Sequence, residues 1–210
     1  MIEMFHSDVC GPLPVASFDG ARYFVSYIEE VSRFRFTYLL GEKGEQFETF
    51  KKLKTMVEKQ YEGQVKVLRA DNGGEYISRE SKSFFEKQGM ILETTVPYCS
   101  AQNGVAERSH LTLMDMARTM LAHANLPAQY WGAAVLYASE ITNCMPHPDR
   151  SRSCTPHQVL TGDKPNLSKF KVFGCDAYAL LDRPNQKGSD RNSWQRARRT
   201  RQGKLHDRSK

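Results

Sequence analysis

Hydrophobic and polar positions follow two different periodicities along the chain, one typical of strands and one of helices, and together they predict an α/β fold. Three runs rich in aromatic and β-branched residues open the sequence, with turn and acidic residues between them. They predict three strands in a meander at residues 1–9, 22–28 and 33–40. From Phe47 to Val57 the apolar positions recur at helical spacing, which predicts an amphipathic helix that closes near Gly63.

The rest of the pattern alternates short β runs with helices. The predicted elements are a strand at 65–68, a helix at 81–88 that stops at Gly89, a strand at 91–96, a long helix at about 105–124 and a further helix after Pro127. Beyond Pro146 the pattern predicts a short helix at 157–160 and strand-like segments at 171–173 and 177–181. Strands alternating with helices in this order are typical of an α/β protein.

Charge is distributed very unevenly, and this divides the chain into three predicted parts. Residues 183–210 hold ten Lys and Arg against two Asp, whereas the preceding 182 residues hold 20 basic and 22 acidic side chains. The tail therefore carries +8 and the remainder −2, so the positive sign of the overall +6 comes from the tail. Because apolar residues nearly vanish after Asp182, we predict a core at 1–145, an extension at 146–182 and a disordered basic tail at 183–210.

Composition also excludes several classes of protein. The five cysteines are odd in number, widely spaced and without a Cys-x-x-Cys pair. This argues against a disulfide framework or a zinc ribbon and suits a reducing compartment. No apolar run is long enough for a transmembrane helix, so no membrane partner is expected.

Three carboxylates stand where metal-dependent phosphoryl transfer would need them. Asp8 ends the first predicted strand, Asp71 follows the fourth, and Glu107 lies in the first turn of the long helix, 35 residues beyond Asp71. Hard divalent ions bind carboxylate oxygens, and rigid element ends make such ligands converge. Taken singly, each also has an ordinary interpretation, as a turn residue or as an acid that complements a helix dipole.

An ordered set of motifs surrounds these carboxylates. The set comprises HSDVCGP from residue 6, IEEVSR from 28, DNGGEY from 71, VPY from 96, QNGVAER from 102, MARTML from 116, NLP from 125, TGDKP from 161 and VFGC from 172. In this order, over about residues 1–182, the motifs resemble the integrase catalytic core of copia-type LTR retrotransposons, a branch of the retroviral integrase superfamily. The resemblance places the catalytic core at 1–145 and makes the chain a fragment of a Pol polyprotein.

The resemblance implies an RNase H-like fold with a mixed five-stranded sheet flanked by helices. It implies that Asp8, Asp71 and Glu107 are the catalytic residues and the ligands of two Mg²⁺ or Mn²⁺ ions. The implied reactions are 3′-end processing of element DNA and strand transfer into target DNA. The implied partners are double-stranded DNA and further copies of the chain, with a nuclear location after a cytoplasmic particle.

Further polar residues near the triad are candidate DNA contacts. They are Asn72, Gln102, Asn103, Gly104, Arg108 and His110. Typical relatives have Asn at the position of His110, followed by a basic residue where this chain has Leu111, so one expected contact is missing.

Two other interpretations remain open. The chain could be a catalytically silent integrase remnant that only binds DNA or a partner, since relatives carry an upstream zinc-binding segment and continue beyond residue 181 with other sequence. An RNase H-type nuclease would take a carboxylate from the first helix, Glu48 or Glu58. The 35-residue spacing and the flanking motifs argue against it.

Overall fold

A mixed five-stranded sheet forms the centre of the molecule. The computed structural model describes residues 2–70, 76, 78–94, 104–146, 154–179 and 195–197. The sheet strands are β1 Met4–Cys10, β2 Tyr23–Glu29, β3 Arg35–Leu40, β4 Val67–Ala70 and β5 Ile91–Thr94. Their order is β3-β2-β1-β4-β5, with the first three antiparallel and β1, β4 and β5 parallel. The predicted α/β class, the meander and the mixed five-stranded sheet are confirmed.

Helices connect the strands and cover both faces of the sheet. They are α1 Gln46–Gln60, α2 Arg79–Gln88, α3 Gly104–Ala124, α4 Trp131–Asn143 and α5 Pro156–Thr161. Each lies within a few residues of its predicted position. Gly89, in the left-handed region at φ 62°, ends α2 as predicted. Pro127 leads into a short 3-10 turn, Ala128–Tyr130, that runs directly into α4.

The apolar pattern of β2 shows why the sheet has a core on each face. Val25 and Tyr27 pack with α1 and α2, whereas Phe24 packs with α3 and α4. Successive side chains of a strand point to opposite faces, so this alternation assigns the faces of the neighbouring strands as well. Ser26 lies on the α4 side, where its Oγ is 3.3 Å from Thr37 Oγ1 and Thr37 Oγ1 is 2.9 Å from Ser139 Oγ of α4.

The extension after Pro146 differs from its predicted form at one point. The prediction of a strand at 171–173 is wrong: this segment is irregular. Tyr137 of α4 fixes it, because the Tyr137 hydroxyl donates to the Lys171 carbonyl at 2.5 Å and accepts from the Lys171 amide at 2.9 Å. The ring of Tyr137 also lies 5.8 Å from both Phe170 and Phe173. These aromatic residues serve helix packing rather than a sheet.

A second, two-stranded sheet pairs β6 Ala177–Ala179 with β7 Gln195–Ala197, which places three residues of the basic tail in a strand. Of the five cysteines, Cys10, Cys144, Cys154 and Cys175 are described, and none of these four forms a disulfide. Within the described ranges, no helix has the length and apolar character needed to cross a membrane.

Candidate active site

Asp8 lies near the carboxyl end of the central strand. It is paired in register with Ser26, and directly opposite residues of an antiparallel pair share a face, so its side chain belongs to the α3 and α4 side. The side chain is 17% exposed. One carboxylate oxygen, Oδ1, accepts from the Val9 amide at 2.9 Å. The group is thus held on rigid backbone while its other oxygen faces the neighbouring helix.

The register of β1 with β4 determines what lies beside Asp8. Ser7 pairs with Ala70 in the parallel ladder, and Ala70 is the last residue of β4. In the sequence, Asp8 directly follows Ser7 and Asp71 directly follows Ala70. Asp71 and Asn72 themselves lie outside the described residues.

The first turn of α3 carries Glu107, and the next turn reaches Asp8. His110 Nδ1 lies 3.3 Å from Asp8 Oδ2. The His110 ring is buried edge-on against Phe24, with centroids 4.9 Å apart. Residues i and i+3 of a helix are neighbours on its surface, about 5–6 Å apart at Cβ, so Glu107 lies within one helical turn of the Asp8 contact. Glu107 is exposed, and no cation pairs with it within the described part of the chain.

The remaining candidate residues fall into two groups. Arg108 is exposed and folds back over the start of α3, since a Cβ built on Gly104 would meet its Nη1 at 2.9 Å. Gln102 and Asn103 lie outside the described residues. His110 is buried against Asp8 and Phe24 rather than displayed on the surface.

Sequence reasoning missed the support beneath Asp8. Tyr76 is almost fully buried, and its hydroxyl lies 3.0 Å from Ser7 Oγ. On the strand, burial raises the pKa of the Cys10 thiol, and the Asp8 carboxylate raises it further. The only sequence signal for this support was the presence of Tyr76 in the motif that contains Asp71.

The candidate ligands can be compared with the ligands that a divalent cation prefers. Asp8 and Glu107 offer hard oxygen ligands at the ends of a strand and a helix, as Mg²⁺ prefers. Among the residues that the structure describes, no three His, Cys, Asp or Glu side chains form a complete metal site. The two described carboxylates therefore fit part of a site whose third expected ligand, Asp71, is outside the described ranges.

The two carboxylates of the RNase H interpretation are engaged elsewhere. Glu58 pairs with Lys54 at 2.6 Å and accepts from the Val65 amide at 2.9 Å. Glu48 forms an ion pair with Lys51. Both contacts give these glutamates an evident structural role in α1.

Comparison with curated proteins gives a consistent set of relatives. The chain is 37% identical over 193 residues to the Retrovirus-related Pol polyprotein from transposon TNT 1-94 of Nicotiana tabacum. It is 33% identical over 180 residues to that from transposon RE2 of Arabidopsis thaliana. It is 29% identical over 187 residues to the Transposon Ty1-LR3 Gag-Pol polyprotein of Saccharomyces cerevisiae. The chain is related to the Pol polyproteins of copia-type retrotransposons.

The matches cover 86–92% of this chain but only 10–14% of these Pol polyproteins. The chain thus corresponds to a small segment of its Pol relatives. A scan against protein-family models gives no match.

Among solved structures, the fold resembles a chain of the simian T-cell lymphotropic virus intasome in complex with PP2A regulatory subunit B56 gamma. The TM-score is 0.56 at 16% identity, and the match covers 93% of this chain and 68% of that chain. The mixed sheet of this Pol-related chain is therefore an integrase-type, RNase H-like fold.

Proposed function

We propose that this Pol-related chain is the catalytic core of a retrotransposon integrase, which processes the 3′ ends of element DNA and joins them to target DNA. The observation that carries the proposal is the contact between Asp8 and His110. It brings the first turn of α3, with Glu107, to the end of β1, beside the strand that leads to Asp71. The Pol relatives and the integrase-type fold support the same function.

The proposed reaction has two displacements at phosphorus. In the first, a water oxygen forms a bond to a phosphorus near the 3′ end, and the bond from that phosphorus to the 3′ oxygen of the retained strand breaks. The outgoing nucleotides keep the phosphorus as a 5′ phosphate, and the retained strand is left with a free 3′ hydroxyl. In the second, that 3′ hydroxyl attacks a target phosphodiester, and a target 3′ oxygen leaves. Each step exchanges one P–O bond for another, so no oxidant or covalent enzyme intermediate is required.

The chain's residues have distinct roles in this proposal. Asp8, Asp71 and Glu107 would hold Mg²⁺ or Mn²⁺, which when bound supplies Lewis-acid stabilisation of the attacking and leaving oxygens. His110 positions Asp8 by fixing one carboxylate oxygen, and Phe24 fixes the His110 ring. Arg108, Asn72, Gln102, Asn103 and Gly104 are proposed to contact DNA.

The partners of this function are double-stranded DNA, as element ends and as target, and further copies of the chain. The proposed location is the nucleus, after passage through a cytoplasmic particle. No membrane partner is proposed.

The decisive experiment is a strand-transfer assay with the Glu107→Gln variant. The substitution keeps the side chain's size but removes a ligand charge, so we expect strand transfer and 3′ processing to fall at least a hundredfold, about 3 kcal/mol of transition-state stabilisation. Glu140→Gln, the same change at an exposed position on α4, is the matched control and should retain wild-type activity. Near-wild-type cleavage by Glu107→Gln would refute the assignment, and a wild-type chain that binds DNA without cleaving it would favour the silent remnant.

A second test is the choice of ion. Mg²⁺ requires tight octahedral coordination, whereas Ca²⁺ accepts longer and looser geometry that does not align the reacting oxygens. We expect activity with Mg²⁺ or Mn²⁺ and none with Ca²⁺ alone, measured on the same oligonucleotides. Equal rates in Ca²⁺ would argue for a different mechanism.

A further inference from the structure

A pocket of about 520 Å³ opens between the β2–β3 turn, the first half of α3 and the end of α4. Three guanidinium groups and three hydroxyl groups line it: Arg33, Arg35, Arg108, Ser109, Thr112 and Thr142. Apolar side chains, among them Ile28, Met116 and Met145, form the rest of the wall. The lining of the pocket thus combines guanidinium groups with apolar side chains.

Hydrogen bonds from both its backbone and its side chain hold Arg35 in place in this pocket. Its backbone amide donates to Asn143 Oδ1 and its carbonyl accepts from Asn143 Nδ2, both at 2.8 Å. Its Nε donates to Ser109 Oγ at 2.7 Å, so the guanidinium is held against α3. Within the described ranges, no carboxylate lies at ion-pairing distance from it, and its four other N–H groups have no protein acceptor.

The surroundings of the Arg35 guanidinium disfavour its charged form. Burial lowers the pKa of Arg35, and the neighbouring Arg33 lowers it further. Arg33 shares its charge with Glu30, at 2.9 Å, but Arg35 has no such counter-ion in the described part of the chain. A fixed guanidinium that keeps its proton under these conditions is stabilised when an anion approaches it.

Arg108 links the pocket to the proposed active site. It follows Glu107 directly in α3, and its exposed guanidinium has no ion-pair partner among the described residues. A strand of DNA whose reacting phosphate lies at Glu107 would therefore pass this pocket with a neighbouring phosphate. The volume exceeds that of a lone phosphate and leaves room for a sugar against the apolar wall.

We infer that this pocket binds a phosphodiester of the DNA strand, held by Arg35 and Arg108, with the adjoining sugar against Ile28 and Met116. The inference rests on the proposed function for the choice of DNA as the source of the phosphate. It adds the β2–β3 side of the molecule to the DNA-binding surface, which the sequence motifs had confined to α3 and the loops before it.

The test measures binding of the full chain to a labelled 30-base-pair duplex at several NaCl concentrations in EDTA, where no cleavage occurs. Each phosphate contact contributes about −0.9 to the slope of log affinity against log salt. We expect Arg35→Gln and Arg108→Gln each to reduce the slope by about one unit and to raise Kd about fivefold to tenfold at 0.1 M salt. Arg35→Lys, which keeps the charge, should recover most of the slope.

The matched control is Arg118→Gln. Arg118 lies on α3, as Arg108 does, but it is paired with Asp115 at 3.0 Å, so the salt slope of this variant should equal that of the wild type. A wild-type slope for Arg35→Gln would overturn the inference. If circular dichroism shows that Arg35→Gln does not fold, the exposed Arg108→Gln variant decides in the same way.

Calorimetry with inorganic phosphate separates the two sources of the ligand. The DNA assignment would be overturned if Arg35→Gln abolished the heat of phosphate binding but left the slope of log DNA affinity against log salt unchanged. The pocket would then be a site for free phosphate. Failure of the proposed function has a different signature. If the chain is inactive in strand transfer but its salt slope for DNA binding still depends on Arg35, the integrase assignment is refuted and the phosphate site is retained.

Discussion

The Tyr76 hydroxyl connects two parts of the candidate active site through its hydrogen bond with Ser7. It lies 3.0 Å from Ser7 Oγ in the interior, and Ser7 directly precedes Asp8. Tyr76 is also five residues beyond Asp71 in the sequence. Nearby, Tyr27 donates to the Gln46 carbonyl at 2.6 Å, and burial raises its pKa well above the usual value. Two buried phenol side chains, Tyr76 and Tyr27, thus lie beside Ser7 and the strand end that bears Asp8.

We expect Tyr76→Phe to lower the free energy of unfolding by about 1 kcal/mol, because Ser7 loses a buried hydrogen-bond partner. The measurement is urea unfolding followed by circular dichroism. Tyr38→Phe is the matched control: Tyr38 is half-buried, and its hydroxyl has no hydrogen bond within the described part of the chain. Equal stabilities of the two variants would contradict a supporting role for the Tyr76 hydroxyl.

At this scale the sequence predicted some residues and not others. The positions of Asp8 near a strand end and of Glu107 in a first helical turn could be predicted, because strand ends and first helical turns are visible in the pattern and in the motifs. Their catalytic role stays a prediction. The contact of His110 with Asp8 and the hydrogen bond of Arg35 to Ser109 could not be predicted. Both depend on how α3 crosses the sheet, and no local pattern specifies that crossing.

Among the elements, the extension is fixed to the end of α3 by the close approach of Gly174. Its backbone has φ 77°, and a Cβ built on it would lie 2.5 Å from the Ala124 Cβ. Side chains are disfavoured at this φ, and here the space is also filled by a group that cannot rotate away. The contact requires glycine for two independent reasons.

We expect Gly174→Ala to destabilise the protein clearly more than Gly162→Ala, with a difference of at least 1 kcal/mol from overpacking. Gly162 is the control because it has a similar φ of 82° but nothing within 4 Å of its Cβ position. Thermal unfolding of both variants measures the difference. Similar losses would mean that the extension shifts away from α3 without cost.

Element type was easier to predict than element partners. The periodicity located the five sheet strands and five helices to within a few residues, because each period reflects a local burial pattern. The pairing of β1 with β4 could not be predicted from the periodicity, since it joins residues about 60 positions apart. The wrong strand at 171–173 arose because Phe173 packs against Tyr137 while Val172 is exposed, and a short apolar run does not reveal its partner.

For the whole molecule, the charge distribution should determine how it contacts DNA in the proposed function. Residues 183–210 carry +8 and the preceding residues −2, so the tail should supply most of the non-specific affinity. We expect deletion of 183–210 to reduce the salt slope on duplex DNA by about four units, if about half of the tail's charges engage. Sequence preference should barely change, because phosphate contacts carry no base information.

The measurement is the same duplex titration at several salt concentrations with full-length and shortened chains. A full-length chain with the tail's Lys and Arg replaced by Gln is the control for chain length. Identical slopes for full-length and shortened protein would show that the core binds DNA by itself.

The position of β1 between an antiparallel and a parallel neighbour has a consequence for the order of folding. Its pairing with β2 closes a short loop, whereas its pairing with β4 must wait for α1 to cross the sheet. Long loops cost more entropy to close and are closed later, so the meander should assemble first. A nascent chain that has emerged only as far as β3 would hold Asp8 in its strand with neither β4 nor α3 beside it. Because the proposed nuclease centre is completed only by the late, long-range pairing, a partly made chain would be unable to cut nucleic acid.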